Sequence, residues 1–266
     1  MKLLSKLKEI GKFYNNANTY KNIDNNDLSE LVYKILEEKE HSCRFNHIEN
    51  VRKSLLKDNR ILNIIDFGAG ANHTKAIQRT VKSIAKTALS PKWQCELMSN
   101  IIKEFNCENI LELGTSLGIS TSYLANANRH GIVYSFEGAE SISSVAMQTF
   151  ARLQIKNVKL ITGNFDITLP TILENIAQID FAFIDGNHRY ESTVKYFEMI
   201  LKNSHAKTIL VIDDIYWSQG MKQAWNHITN HRQVTASLDF YNFGIIFLDK
   251  KYNGNHTVIN SKYKIK

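Results

Sequence analysis

The sequence predicts an α/β protein with a doubly wound, mostly parallel sheet of seven strands. From Pro91 onwards, short apolar runs typical of strands buried on both faces alternate with longer amphipathic segments. A turn with two glycines, Gly114–Gly118, joins the first of these runs to a segment with helical periodicity. The last two runs are separated only by Phe240–Asn242, which predicts a terminal antiparallel hairpin at one edge of the sheet.

The elements of this unit follow one another along the chain with few long connections. The predicted strands are Asn109–Leu113, Ile132–Glu137, Val158–Thr162, Ile179–Ile184, Thr208–Asp213, Val234–Asp239 and Phe243–Leu248. The predicted helices are Trp93–Phe105, Ser120–Ala127, Ser141–Leu153, Tyr190–Lys202 and Gln219–His231. Because five apolar strands alternate with helices, we expect a parallel sheet that is covered on both faces.

The first 89 residues have a mostly helical pattern, so we expect a helical N-terminal extension or lid before a domain spanning residues 90–266. One face of the first helical segment is apolar and consists of Leu3, Leu7, Ile10 and Tyr14. We expect this face to pack on the same chain or on a second subunit, as in a homodimer, rather than on a membrane. A second glycine turn, Asp66–Gly70, is interpreted as a structural turn or an active-site lid.

The composition is that of a globular protein and argues against nucleic-acid-binding and membrane-spanning classes. The chain has 266 residues, 43% of them hydrophobic and 22% charged, as in ordinary globular proteins. The net charge of +7 comes from scattered lysines and arginines, and because no RNA-binding signature accompanies them we expect no specific nucleic-acid partner. No apolar stretch is long enough for a transmembrane segment. Three widely spaced cysteines indicate a reducing compartment, so we expect a cytoplasmic protein.

The motif Ile110-Leu-Glu-Leu-Gly-Thr-Ser-Leu-Gly-Ile-Ser-Thr121 carries most of the functional information. Its glycines are spaced G-x-x-x-G, unlike the G-x-G-x-x-G turn that holds a pyrophosphate in dinucleotide folds. A tight turn beside the carboxylate of Glu112 suits a ligand with a cationic or hydroxyl-rich part and no phosphate. S-adenosylmethionine is such a ligand.

Polar side chains follow the next strands at their carboxyl ends, where open α/β sheets bind ligands. Glu137 and Gly138 end the second strand, and a carboxylate there can accept both hydroxyls of a ribose. The third strand is followed by Gly163-Asn164-Phe165, an amide and an aromatic ring that could meet an adenine. These features fit an adenosine ligand, whether NAD or S-adenosylmethionine.

Three carboxylates end the fourth and fifth strands. Asp185 follows the fourth strand, and Asp213 and Asp214 follow the fifth, so all three are predicted to lie in one crevice. Carboxylates at such short distances repel one another unless a cation lies between them. Carboxylate oxygens are suitable ligands for Mg²⁺. In the alternative interpretation Asp213 and Asp214 only cap the following helix. His188 is a candidate base for the same crevice.

These residues resemble the class I S-adenosylmethionine-dependent methyltransferases, and among them the catechol, caffeoyl-CoA and macrocin type O-methyltransferases. The resemblance runs from Ser90 to Leu248 and is carried by Lys92-Trp-Gln-Cys and by the glycine motif. It implies that the glycine motif holds the methionine end of the cofactor, Glu137 the ribose, and Asn164 and Phe165 the adenine. The residues expected to bind the cofactor are Glu112, Gly114, Thr115, Ser116, Gly118, Thr121, Glu137, Gly138, Gly163, Asn164, Phe165 and Asp185.

The resemblance also implies a reaction, methyl transfer to a hydroxyl group of a small-molecule acceptor. In metal-using members, three acidic or amide positions bind Mg²⁺, and Asp185, Asp213 and Asp214 fall on them. His188 falls where catechol-type enzymes carry a lysine base, so His188 or Asp185 is expected to take the acceptor proton. The aromatic residues after the fifth strand, which either wall the acceptor pocket or belong to the core, are Tyr216, Trp217 and Trp225. The alternatives are an RNA methyltransferase, suggested by the positive charge, and a non-catalytic nucleotide-binding or scaffold protein.

Overall fold

A computed structural model describes residues 10–11, 13, 15, 17, 19–37, 44–64 and 77–257. Its helices are α1 (Asn26–Glu37), α2 (Asn46–Leu55), α3 (Val81–Thr87), α4 (Lys92–Glu104), α5 (Ile119–Ala127), α6 (Glu140–Arg152), α7 (Phe165–Leu173), α8 (Tyr190–Lys202) and α9 (Gln219–Thr229). Its strands are β1 (Ile61–Ile64), β2 (Ile77–Thr80), β3 (Asn109–Leu113), β4 (Ile132–Glu137), β5 (Val158–Thr162), β6 (Ile179–Ile184), β7 (Ser204–Asp213), β8 (Ala236–Asp239), β9 (Phe243–Phe247) and β10 (Gly254–Thr257). In the described residues, no helix has the length and apolar character that crossing a bilayer requires.

The main sheet has the strand order β10-β8-β9-β7-β6-β3-β4-β5. Strands β3 to β7 pair in parallel, whereas β9 runs antiparallel to both β7 and β8. The predicted fold class and the antiparallel hairpin are therefore confirmed. The hairpin does not form the edge, because β10 pairs in parallel with β8 and adds an eighth strand that the sequence pattern did not predict.

Alternate residues of the central strands bury their side chains on opposite faces of the sheet, as strand geometry requires. Ile110 of β3 belongs to a core that includes residues of α1, α4 and α5. Its neighbour Leu111 belongs to a second core, which includes residues of α7, α8 and α9. The sheet is therefore covered on both faces, and only its strand ends remain open for a ligand.

The predicted boundaries of β3, β4, β5 and β6 agree with the structure residue for residue. Helix α7 was not predicted, and it contains Pro170, which cannot donate a backbone hydrogen bond and disfavours a helix interior. The N-terminal part contains the two-stranded antiparallel ribbon β1-β2 in addition to helices. The Asp66–Gly70 turn and most of the apolar face near the N-terminus lie outside the described residues.

The N-terminal segments pack directly on the sheet unit. Helix α1 buries Leu28 and Val32 in the core on one face of the sheet. Helices α2 and α3 bury Ile48 and Ile84 in a third core, together with Tyr123 of α5 and other residues of α5 and α6. This packing brings residues before position 90 to the open strand ends. The division of the chain at residue 90 stays a prediction.

Candidate active site

The carboxyl ends of β3, β4, β6 and β7 open on a cavity of about 570 Å³. This volume falls within the usual range for small-molecule sites. The cavity is lined by Arg79, Ile84, Thr87, Ala88, Leu89, Ser90, Pro91, Gln94, Gly114, Ser116, Glu137, Gly138, Ile142, Phe165, Asp185, Gly186, Asn187, His188, Asp213, Asp214, Trp217 and Asn242.

The turn after β3 brings the chain close to the end of β6. Gly114 adopts a φ of +107°, and a Cβ at this position would overlap the backbone oxygen of Asp185. The backbone N–H of Asp185 donates to the carbonyl of Leu113 at 2.8 Å, which fixes the two strand ends side by side. Gly118 has a φ of +82°, and a Cβ there would lie 2.8 Å from the ring of Phe150. Both glycines are therefore required by backbone conformation and close packing, and Gly114 also lines the cavity.

Glu112 lies beneath this turn and does not line the cavity. Its side chain is fully buried, and its Oε2 accepts hydrogen bonds from the hydroxyls of Thr121 at 2.5 Å and Ser135 at 2.6 Å. Burial raises the pKa of the Glu112 carboxyl, and these hydroxyl donors partly oppose that rise. Thr115 is also buried and contacts Ser135. Of the motif residues predicted to meet the cofactor, only Gly114 and Ser116 line the cavity.

Glu137 at the end of β4 lines the cavity, and its carboxylate is held by backbone donors. Its Oε2 accepts from the backbone N–H of Ser116 at 2.9 Å, and its Oε1 accepts from the backbone N–H of Ala139 at 3.0 Å. Two backbone donors thus fix the orientation of the carboxylate. Gly138 lines the cavity beside it.

Phe165 is the residue after β5 that reaches the cavity, and its ring packs against Gly186. Asn164 instead caps α7, with its Oδ1 accepting from the backbone N–H of Asp166 at 2.9 Å. Gly163 has a φ of +137° and directs the chain into this cap. Neither Gly163 nor Asn164 lines the cavity, so the structure gives both of them a local backbone role.

Asp185, Asp213, Asp214 and His188 form one cluster in the cavity. The His188 Nε2 lies 3.5 Å from the Asp185 Oδ1 and 3.7 Å from the Asp214 Oδ2. The side chains of Asp185 and Asp213 lie close enough for each to influence the pKa of the other. The prediction that these four residues converge on one crevice is therefore confirmed by their positions.

Burial dominates the electrostatics of this cluster. Burial, followed by repulsion from Asp213, raises the pKa of Asp185 well above its ordinary range. Burial and the charge of Asp214 raise the pKa of Asp213 to about 7, although a hydrogen bond from Gln94 opposes the shift. Burial lowers the pKa of His188, against the opposing influence of Asp214. At neutral pH the imidazole is thus the neutral form, which can accept a proton.

The same carboxylates were predicted to hold a metal ion. In the described residues, no group of three or more His, Cys, Asp or Glu side chains has the arrangement of a metal site. The cluster nevertheless supplies the carboxylate oxygens that a hard cation binds. In its donor chemistry the cluster fits a divalent cation.

Residues 79–94 form the opposite wall of the cavity, which the sequence analysis did not identify residue by residue. Gln94 is almost fully buried on α4, and its Nε2 donates to the Asp213 Oδ1 at 2.8 Å. Arg79 also lines the cavity. The Lys92-Trp-Gln-Cys motif was the sequence signal for Gln94, but the pattern around Arg79 contained no such signal.

Three buried side-chain atoms among the described residues have no hydrogen-bond partner: Glu112 Oε1, Ser116 Oγ and Asn187 Oδ1. Ser116 and Asn187 line the cavity, with φ values of 48° and 55° that non-glycine residues rarely adopt. Unpartnered polar atoms and strained backbone concentrate at ligand sites, where a bound molecule supplies the missing contacts.

The three aromatic residues after β7 have different surroundings. Trp217 lines the cavity and is 71% exposed. Trp225 is packed in the core, and Tyr216 donates from its hydroxyl to the Asp239 Oδ2 at 2.8 Å. Trp217 is therefore the one of the three that is positioned to meet a ligand.

Known proteins resemble this chain in sequence. The sequence model of a methyltransferase domain family matches residues 111–215. A catechol O-methyltransferase from Niastella koreensis is 32% identical over 111 residues, which cover 41% of this chain and 49% of that protein. The chain thus matches about half the length of this curated relative.

Solved structures show the same fold at low sequence identity. An O-methyltransferase from Bacillus cereus, solved with S-adenosylhomocysteine, is 20% identical, with a TM-score of 0.56 over 82% of this chain and 96% of that protein. A methyltransferase from Podospora anserina, also solved with that ligand, is 16% identical, with a TM-score of 0.58 over 85% of this chain and 97% of that protein. These findings confirm the resemblance to class I S-adenosylmethionine-dependent O-methyltransferases.

Proposed function

We propose that the chain transfers a methyl group from S-adenosylmethionine to a hydroxyl oxygen of a small molecule, because residues 111–215 match the sequence model of a methyltransferase domain. One observation carries this proposal. A single cavity joins the fixed carboxylate of Glu137 and the Gly114 turn to the buried cluster of His188 and three aspartates.

The cofactor fits the strand-end side of this cavity. The carboxylate of Glu137, held in orientation by two backbone N–H groups at the cavity, suits the two hydroxyls of a ribose, and the ring of Phe165 offers an apolar surface for an adenine. Gly114 and Asp185 line the cavity side by side, and the methionine end is assigned to this part of it. The bound cofactor supplies an already activated methyl group, so the protein mainly has to align the acceptor and remove its proton.

His188 is the base in this proposal. Its lowered pKa keeps the imidazole neutral at physiological pH, and its Nε2 can then accept the hydroxyl proton of the acceptor. Asp185 and Asp214 lie within 4 Å of that nitrogen and stabilise the imidazolium that results. Gln94 holds Asp213 in place from the opposite wall of the cavity.

We propose that Asp185, Asp213 and Asp214 hold a divalent cation such as Mg²⁺ in the working enzyme. Their oxygens are the ligand type that Mg²⁺ prefers, and a cation would offset the repulsion among them. When bound, such a cation lowers the pKa of an acceptor hydroxyl.

Transfer of a labelled methyl group from S-adenosylmethionine to catechols, flavonoids and hydroxylated sugars tests the function. We expect O-methylated product in Mg²⁺, loss of activity in EDTA and recovery with excess Mg²⁺. Asp214→Asn and His188→Gln should lower turnover by about 100-fold or more with little change in cofactor affinity. The control Glu191→Gln, an exposed change on α8, should leave turnover unchanged.

Two results would count against the proposal. Activity that persists through exhaustive chelation would remove the metal and leave His188 as the sole catalytic group. A protein that binds the cofactor but labels RNA and none of the small molecules would replace the small-molecule reaction with the RNA alternative.

A further inference from the structure

Arg79 of β2 differs from the other charged residues that line the cavity. The acidic side chains there are Glu137, Asp185, Asp213 and Asp214, and among the described residues that line the cavity Arg79 is the only lysine or arginine. It comes from the N-terminal ribbon, outside residues 111–215, which match the sequence model of the methyltransferase domain.

Neutral groups of α3 hold the guanidinium of Arg79 along one edge. Its Nε donates to the Ser83 Oγ at 3.2 Å, and its Nη2 donates to the Ser83 carbonyl at 3.3 Å and the Thr87 Oγ1 at 2.7 Å. No residue in the described part of the chain accepts from Nη1 or pairs with Arg79 as an anion. The planar group is therefore fixed in orientation, while one of its nitrogens keeps both donors free.

Such an arginine requires a negative partner, because a partly buried cation without one is unfavourable. Nearby protein carboxylates do not provide it, although four of them line the same cavity. The Nη1 donors of a guanidinium held in this way can form charge-assisted hydrogen bonds to a carboxylate oxygen of a ligand.

We propose that Arg79 binds a carboxylate of the ligand in this cavity. The proposal rests on the proposed function, which offers two sources for the carboxylate. One is the methionine carboxylate of the cofactor, and the other is a carboxylate on the methyl acceptor. In either case the N-terminal ribbon contributes a specificity residue to the site.

Calorimetric titrations separate the two sources. S-adenosylhomocysteine is compared with 5′-methylthioadenosine, which has the same adenosine and thioether but no carboxylate. 3,4-Dihydroxybenzoate is then compared with catechol on protein saturated with S-adenosylhomocysteine. The variants are Arg79→Gln, Arg79→Lys and the control Lys86→Gln, which removes one exposed positive charge from α3.

In one of the two ligand pairs, we expect wild type to bind the ligand with a carboxylate more tightly than the ligand without one. In Arg79→Gln this ratio of affinities should fall by about 10- to 100-fold. The member without a carboxylate should bind equally well to both proteins, and Lys86→Gln should behave as wild type. Arg79→Lys keeps the charge and should keep part of the preference, which provides the test if Arg79→Gln does not fold.

Three results would overturn the inference. Arg79→Gln could retain the wild-type preference in both pairs, or it could weaken both members of a pair alike, which indicates a structural effect. Wild type could also show no carboxylate preference in either pair. Failure of the proposed function is distinguishable, because wild type would then bind neither S-adenosylhomocysteine nor 5′-methylthioadenosine.

Discussion

The aspartates around His188 are in an environment that opposes their ionisation. Burial and mutual repulsion raise the pKa values of Asp185 and Asp213, and the Asp213 value reaches about 7. Gln94 offers one neutral donor to Asp213, which opposes but does not cancel the effect of burial and repulsion. Without a cation, the site therefore reduces stability at neutral and alkaline pH.

The sign of this effect follows from the protons bound in each state. Because the folded-state pKa of Asp213 lies above its ordinary value of 3.8, the folded protein keeps a proton that the unfolded chain releases. The contribution of Asp213 to stability is therefore fully present below pH 4. It is lost as the pH rises through about 7.

We predict that Asp213→Asn raises the melting temperature of metal-free protein at pH 8, by about 2–4 °C for each kcal/mol regained. The gain should shrink towards pH 5, because the carboxyl of wild type is then protonated. Scanning calorimetry at several pH values in EDTA measures it, with the exposed change Asp24→Asn as the control. Equal melting temperatures for wild type and Asp213→Asn at pH 8 would show that the cluster carries no such penalty.

At the scale of elements, the sequence predicted which residues lie at the strand ends, but it did not predict the cavity wall formed by residues 79–94. Alternation of apolar runs with helical segments fixed β3 to β6, and with them the positions of Glu137 and Asp185. The contact between Gln94 and Asp213 joins residues 119 positions apart, and local periodicity contains no information on such a pair. Arg79 likewise gains its place through packing of the β1-β2 ribbon and α3.

Arg52 of α2 forms a partly buried ion pair within its own helix and also binds Ser90, a residue of the cavity wall formed by residues 79–94. Arg52 donates from Nε to the Glu49 Oε1 at 2.9 Å and from Nη1 to the Ser90 carbonyl at 2.9 Å. The Tyr123 hydroxyl donates to the same Glu49 oxygen at 2.8 Å. These bonds hold Ser90, and thereby the beginning of α4, against α2 and α5.

We predict that Arg52→Met lowers the free energy of unfolding by roughly 2–4 kcal/mol, because it leaves the Glu49 carboxylate and the Ser90 carbonyl without this donor. Urea denaturation measures the loss. The control Lys34→Met removes a cation from an exposed ion pair with Glu30 and should have no measurable effect. A loss for Arg52→Met no larger than that of the control would mean that the pair does not stabilise the wall.

At the scale of the whole molecule, the fold class followed from the sequence because two periodicities, of strands and of helices, alternate over most of the chain. The individual residues that line the cofactor cavity were harder to predict from the sequence. The predicted motif residues Glu112, Thr115, Gly118 and Thr121 shape the turn from below, whereas Gly114 and Ser116 reach the cavity. A motif identifies the turn, but only packing decides which of its side chains face the ligand.

The central claim is that this cavity binds an adenosine cofactor of the methyltransferase type. Calorimetric titration of wild type with S-adenosylhomocysteine and, separately, with NAD tests it most directly. We predict micromolar or tighter binding of S-adenosylhomocysteine and none of NAD. Glu137→Ala should weaken binding by about 10-fold or more, because it removes the acceptor for the ribose, and the exposed Glu140→Ala should not. Binding of NAD, or no binding of S-adenosylhomocysteine by folded protein, would contradict the account.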